Sequence, residues 1–521
     1  MFDIKITGGN IVDGTGTPPY RADIGICGGI ITEIESSITG EDAHCIIDAT
    51  GKMVCPGFID VHSHSDVSVL LEPSAVSKIS QGVTTEVVGN CGASAAPIKT
   101  LDQLPSDWRC YKYASEWKSM ADYRMLLENI KPIVNIVPLV GHNTLRRSVA
   151  GETGRILSDN ELSEMLYLFE QSMAEGAKGF STGLIYPPGM FAPSEELMAM
   201  AKIAAKYDGI YTTHMRNEGK GLIESIKETI SIAEAAGVRV EISHLKTAGK
   251  SNWHLLETAL DYIHSARERG VNVCADRYPY ISSHTDLDSI LPAWTKERGN
   301  NIELSYIREP STRKRIKEEL VKSRGDDYWT TVTIASTYHP ELDGFRGISL
   351  VDAARKLNMP PVDAVLYILE RDELRTGAFF AGMSEENMKR ILAEKYVMIG
   401  SDSASRSPDG LLGGDFPHPR AYGTFPRFIR MVLDGMINIS FAEAIHKMTL
   451  LPAMHFQIPR RGQIKCGYFA DITVIDPTSI SDMATYAEPW KLSTGIEYVI
   501  VNGQISFSHG KLTDIRAGMV L

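Results

Sequence analysis

Gly57-Phe58-Ile59-Asp60-Val61-His62-Ser63-His64-Ser65-Asp66 is the stretch on which the reading of the chain turns. Side chains on an extended strand alternate between faces, so His62 and His64 share one face and can reach a single metal ion. The preceding Phe58, Ile59 and Val61 read as a buried strand. A lone His-x-His pair is most often a surface turn. Recurrence decides otherwise here. Further His, Cys and Asp residues close later apolar runs, where a closed barrel would set them around one mouth.

Outward from that stretch, the middle of the chain alternates short apolar runs with helical patterns, which predicts βα units and a parallel sheet. Eight strands are expected to end within 59–64, 84–91, 133–140, 179–182, 210–214, 238–244, 271–278 and 397–402. Helical patterns fall between them at 161–176, 194–207, 222–236 and 253–269. Eight such units predict an α/β protein with a closed (β/α)8 TIM-like barrel over 55–454, its chemistry at the strand C-terminal ends. An open doubly wound sheet is the alternative, but it gives no reason for ligands on so many strands. The gap from 278 to 397 is longer than one unit needs, so 281–345 is expected to be an insertion after strand seven that covers the mouth. Helices at 361–370 and 385–394 are expected on the outside of the barrel. Residues 1–54 alternate as strands between glycine turns, and matching runs recur at 472–475, 498–501 and 504–507. The economical arrangement is one β-sandwich built from 1–54 and 455–521.

Composition narrows the function classes. A chain of 521 residues, 43% hydrophobic and 23% charged, can bury a large core. The net charge of −12 gives no support to nucleic-acid binding. Met1-Phe2-Asp3-Ile4-Lys5-Ile6 has neither the basic region nor the apolar core of a signal peptide, and no apolar run has the length of a membrane span. Seven scattered cysteines form no disulfide framework, which points to a reducing cytoplasm. Oligomeric state is left open by the sequence.

The ligand candidates are spread over the strand ends. Strand one carries His62 and His64. Strand two closes with Val87-Val88-Gly89-Asn90-Cys91-Gly92, whose glycines let the backbone turn tightly around a thiolate. His214 closes strand five, His244 strand six, and Asp402 strand eight. Each histidine alone would be an ordinary core or surface residue. Four His, one Cys and one Asp, all at expected strand ends, suit zinc. Asp402 reads as a general acid and base beside the metal, or as a metal ligand or helix N-cap in its Gly-Ser-Asp-Ser setting.

These motifs resemble a family, the N-acyl-D-amino-acid deacylases (D-aminoacylases) of the amidohydrolase superfamily. The resemblance runs through nearly the whole chain. It is carried by 57–66, by 82–91 (GVTTEVVGNC), by Gly141-His142-Asn143-Thr144-Leu145-Arg146 and by 179–188 (GFSTGLIYPP). It continues in Thr213-His214-Met215-Arg216, Ser243-His244-Leu245-Lys246, Tyr278-Pro279-Tyr280, Gly400-Ser401-Asp402 and Pro417-His418-Pro419-Arg420.

The resemblance implies a zinc held tightly by Cys91, His214 and His244. It implies a second, weaker position formed by His62, His64 and Asp402, with Cys91 bridging when both are filled. Many relatives bridge two metals with a carboxylated lysine on strand four; Lys178 precedes that strand and is read as structural. Lys246, Tyr278 and Arg420 occupy positions that resemble those holding the free carboxylate of the acylated amino acid, and His142 either faces the pocket or packs beneath it. The chain departs from the commoner family pattern after Tyr280, at Ile281-Ser282-Ser283-His284-Thr285-Asp286-Leu287, where the side-chain pocket is expected. No Lys or Arg lies between Arg277 and Lys296, which disfavours acidic substrate side chains; Asp286 and Asp288 would suit a basic one. The expected activity is zinc-dependent hydrolysis of small N-acyl-D-amino acids to a carboxylate and a free D-amino acid. The alternatives are a cyclic-amide (hydantoin or dihydropyrimidine type) or dipeptide hydrolase on the same barrel, and an inactive barrel serving as a scaffold.

Overall fold

The computed structural model describes residues 1–39 and 42–521. Eight parallel strands line its centre: Phe58–Asp60, Val83–Val88, Asn135–Pro138 continued by Val140–Gly141, Gly179–Gly183, Ile210–His214, Arg239–Ile242, Val273–Arg277 and Val397–Ile399. They are referred to below as barrel strands one to eight. Nearly every residue in them is buried, as expected of strands covered by helices on one side and barrel core on the other. Strands one to three pair in order, and strands three to eight pair in order, so strand three belongs to both sheets across its break at Leu139. A parallel bridge from Ser63 to Ser403 joins strand one to strand eight and completes the ring.

Helices close over the outside where local chemistry starts and stops them. Asp159–Ala174 begins at a capping box in which Ser158 and Glu161 satisfy each other's backbone N–H groups. Leu222–Ala236 ends at Gly237, whose φ of 68° a side chain would oppose. Ser194–Lys206 and Leu256–Glu268 fill the other two expected positions.

Both chain ends make the second domain, and its strands hydrogen-bond as one nine-stranded sheet. Met53–Pro56 is the hinge of that assembly: it pairs with Phe2–Ile11 on one side and with Ile472–Ile475 on the other. Ile4, Ile6, Ile24 and Ile47 from one end and Ile472, Val474 and Ile500 from the other share one core. A buried polar knot fastens this sheet to the barrel. Arg461 bonds Asp471, Asn135 Nδ2 donates to Asp471 at 3.1 Å, and Asn502 Nδ2 donates to Asn135 Oδ1 at 2.8 Å.

The insertion departs from the expected 281–345. Ser282–Asp286 and Val332–Ile334 both pair antiparallel with Gly377–Ala381, giving a three-stranded sheet at the barrel mouth. A separate core that includes Leu287, Ile307, Leu320, Leu350, Leu366 and Ala378 lies beneath it. The helix Pro361–Arg371, expected on the barrel exterior, packs in this second core against helices 300–308 and 310–323. Its amphipathic pattern specified a buried face without specifying which core would receive it. Glu385–Leu392, by contrast, lies against barrel strands seven and eight as expected. Among the described residues, no helix is long and apolar enough to cross a membrane.

Candidate metal centre and active-site cavity

Three of the six expected ligands sit in backbone conformations that non-glycine residues seldom adopt: Cys91 (φ 50°), His244 (φ 39°) and Asp402 (φ 50°). Each lies two or three residues past the end of a barrel strand, where the left-handed turn sets the side chain at the barrel mouth. Such conformations cost about 1–3 kcal/mol each and persist where the surrounding fold holds them. Glycines make room for the second-strand turn. Gly89 has φ 85°, and a Cβ there would strike the carbonyl of Leu139.

The ligand atoms converge. Cys91 Sγ lies 3.2 Å from His62 Nε2, 3.7 Å from His214 Nδ1 and 3.6 Å from His244 Nε2. Asp402 Oδ1 is 3.0 Å from His64 Nε2 and 3.4 Å from His62 Nε2. Two sets of possible ligands follow, His62, His64, Cys91 and Asp402 in one, Cys91, His214 and His244 in the other, with Cys91 common to both. Zinc bonds of about 2.3 Å to sulfur and about 2.0–2.1 Å to nitrogen place tetrahedral donors about 3.6 Å apart. The Cys91–His214 and Cys91–His244 separations match that value, and all three ligand atoms lie within 4.8 Å of one another, so the residues present fit the ion. Burial alone would raise the Cys91 thiol, but the His62 charge and hydrogen bonds from the three imidazoles hold its pKa well below the ordinary value.

Two carboxylates, Asp276 and Glu218, contact the outer nitrogens of the histidines, and sequence reasoning did not find them. Asp276, on strand seven, bonds His62 Nδ1 at 3.0 Å, leaving Nε2 free to face Cys91. Glu241, wholly buried below, has its carboxyl pushed well up by burial and by the Asp276 charge. Glu218, in the loop after strand five, reaches His244 Nδ1 at 2.9 Å and lies 3.6 Å from His214 Nε2. Burial would raise Glu218, yet the Lys246 ammonium and the two imidazoles hold it well below the carboxylate range. Its four-residue spacing from His214 was the available signal, and many surface glutamates share that spacing.

The expected substrate groups are placed unevenly. Lys246, Tyr278 and Arg420 line a cavity of about 1160 Å³ that also contains His64, Cys91, His214, His244 and Asp402. Lys246 bonds Glu218, and its Nζ lies 2.7 Å from His244 Nδ1. Arg420 Nη1 is 2.9 Å from Asp402 Oδ2, and its guanidinium lies over the Tyr278 ring at 4.5 Å. Tyr278 Oη and Arg420 Nε are buried with no hydrogen-bond partner among the described residues. His142 is not part of the cavity wall. Its Nε2 bonds Glu196 at 2.7 Å, and Arg146 holds the same carboxylate from the other side. Lys178 lies at the N-terminal end of strand four, where the strand begins rather than where the ligands gather.

A (β/α)8 barrel with thiolate, imidazole and carboxylate ligands gathered at its strand ends defines a metal-dependent hydrolase of the barrel type. Comparison with known proteins makes this specific: the amidohydrolase family model matches residues 53–506, and the chain belongs to that family. It is 35% identical to a D-aminoacylase of Alcaligenes xylosoxydans xylosoxydans, across 100% of this chain and 97% of that protein. It is 34% identical to an N-acyl-D-glutamate deacylase of the same organism, across 96% of this chain and 93% of that one. A crystal structure of the N-acyl-D-glutamate deacylase of Bordetella bronchiseptica, complexed with zinc and a phosphonate mimic of the tetrahedral intermediate, superimposes with a TM-score of 0.85 at 32% identity. That match covers 100% of this chain and 99% of that one.

Proposed function

We propose that the chain is a zinc-dependent deacylase that hydrolyses N-acyl-D-amino acids to a carboxylate and a free D-amino acid. The observation that carries this reading is a single cavity lined by His64, Cys91, His214, His244 and Asp402 together with Tyr278 and Arg420, whose Oη and Nε have no hydrogen-bond partner among the described residues. Cys91, His214 and His244 would hold the tightly bound zinc, and His62, His64 and Asp402 a second, weaker position. Zinc bound there polarises an acyl carbonyl and makes a coordinated water acidic at neutral pH.

The chain's own residues supply the rest. Asp402, set between His64 and Arg420, takes the proton of the attacking water and returns it to the departing nitrogen, which leaves poorly unless protonated. Arg420 and Tyr278 present a cation and a hydroxyl to the substrate's α-carboxylate. Lys246 adds positive charge to the same wall while it holds Glu218 against the histidines. Two fixed points, the acyl carbonyl and the α-carboxylate, leave one direction for the side chain, so only one enantiomer fits. A hydantoin or dihydropyrimidine has no free α-carboxylate and would leave Arg420 and Tyr278 unmatched, and an inactive scaffold would have no need of all six ligands. The substrate is a small molecule, and seven free cysteines accord with a reducing cytoplasm.

The test is a screen of N-acetyl-D- and N-acetyl-L-amino acids, dipeptides and hydantoins against zinc-loaded enzyme. Selective cleavage of D derivatives is expected. Equal rates on L derivatives, or faster hydantoin opening, would overturn the reading.

A further inference from the structure

One wholly buried ammonium joins the three barrel strands whose ends carry His62, His64, Cys91 and Asp402, and the chemistry described so far does not use it. Lys78, on the short helix Val76–Ile79 ahead of strand two, is 0% exposed and is not part of the cavity wall. Its Nζ donates to Asp60 Oδ2 at 2.7 Å, to Ser401 Oγ at 2.6 Å and to the Ser403 carbonyl at 2.8 Å. It also lies 3.2 Å from Glu86 Oε1. Asp60 belongs to strand one and Glu86 to strand two, while Ser401 and Ser403 flank Asp402 just past strand eight.

Asp402 is gripped from both sides. Asp60 accepts the Ser401 N–H at 2.8 Å and its hydroxyl at 2.6 Å, and the Ser403 carbonyl accepts from Lys78 and, at 3.3 Å, from the His64 N–H. The Asp402 N–H itself donates to the His62 carbonyl at 2.8 Å. These contacts matter because strands one and eight meet through a single bridge, Ser63 to Ser403, and not through a ladder of repeated bonds. The left-handed conformation of Asp402, φ 50°, persists only where the surroundings hold it. Glu86 completes the frame by accepting the Ser63 and Ser65 hydroxyls at 2.6 Å each. A compact ammonium with three rotatable donors suits such a junction. Charge balance alone needs contact with Asp60 and Glu86; the two further bonds go to the residues on either side of Asp402.

We propose that Lys78 is a positioning residue: through Asp60, Ser401 and Ser403 it holds the Asp402 turn, and so sets that carboxylate between His64 and Arg420. It touches neither substrate nor metal. The inference rests on the deacylase reading above for the proton transfer by Asp402, and on the ligand geometry alone for the place of Asp402 in the weaker metal position.

A double-mutant cycle separates positioning from general support of the fold, because a residue acting through Asp402 has nothing left to set once that carboxylate is gone. On an N-acetyl-D-amino acid that the wild-type enzyme cleaves, Lys78→Met should lower kcat at least about tenfold, as a misplaced reacting group does. Lys78→Met combined with Asp402→Asn should then fall within about twofold of Asp402→Asn alone. Titration against a competing chelator should show the first zinc bound as in wild type and the second weakened at least about tenfold. Where Lys78→Met does not fold, Lys78→Met with Asp60→Asn, which removes one charge of each sign, takes its place in the cycle. Losses that multiply, or wild-type kcat and second-zinc affinity in a folded variant, overturn the positioning role and leave the deacylase reading intact. A wild-type enzyme that cleaves no N-acetyl-D-amino acid overturns the deacylase reading instead. The second-zinc affinity then decides for Lys78: a weakened value supports its role, and an unchanged one overturns it.

Discussion

Glu218 is the sharpest place to test how the metal centre is held. One carboxylate contacts His244 Nδ1 at 2.9 Å, approaches His214 Nε2 at 3.6 Å and pairs with Lys246, whose side chain is 5% exposed. Glu218→Gln keeps the shape but removes the charge, with two separable consequences. Removing an outer partner of metal-binding histidines costs about 10- to 100-fold in metal affinity, or about 1.4–2.7 kcal/mol. Leaving the buried Lys246 ammonium unpaired costs about 3–5 kcal/mol of stability. Competitive zinc titration against a chelator reads the first quantity, and chemical denaturation of zinc-loaded enzyme reads the second. Adding Lys246→Met to Glu218→Gln should recover much of the stability and none of the zinc affinity. If Glu218→Gln binds zinc within about twofold of wild type, the carboxylate does not orient the histidines and the argument fails.

Four further outcomes follow from the geometry. Cys91→Ala removes the one ligand common to both sets, so zinc content and activity should fall together; wild-type zinc content would exclude Cys91 from the site. Asp402→Asn cannot shuttle a proton and should lower kcat by at least ~100-fold while the Cys91–His214–His244 zinc stays bound; near-normal turnover would leave Asp402 without that role. Arg420→Ala should raise KM and cost about 2–5 kcal/mol in kcat/KM, as loss of a desolvated charge partner does; wild-type kinetics would dissolve the carboxylate clamp. Burial holds the Lys447 amine down to about 7 from its usual 10.5, so across that window the unfolded chain binds the extra proton and stability rises with pH. Wild-type stability relative to Lys447→Met should therefore climb by up to about 1.4 kcal/mol per pH unit above pH 7, and a flat difference would mean that folded Lys447 stays charged.

Much of the barrel and the residues gathered at the candidate metal centre were legible because they are written in local patterns. The His-x-His spacing flags His62 and His64, although the strand itself stops at Asp60 and both lie just beyond it; apolar runs mark all eight strands, and glycine-rich strand ends flag Cys91. Helix starts were readable for the same reason, since Ser158 and Glu161 are three residues apart. The insertion was detectable as an excess of chain between strands seven and eight. Its extent was not, because the amphipathic helix Pro361–Arg371 reads the same whether it packs on the barrel or in a core of its own.

The tertiary structure alone decided the partnerships. His62 meets Asp276 from 214 residues away, and the Asp276 carboxylate has no local mark that separates it from any other strand aspartate. Lys246 and Arg420 were readable as positive charges, but their pairing with Glu218 and Asp402 depends on where separate loops converge. His142 sits in a family-like motif, and the fold turns it toward Glu196 and away from the cavity. Periodicity is a property of consecutive residues and survives in the sequence, whereas charge compensation is a property of which surfaces meet. That is settled only when the chain closes.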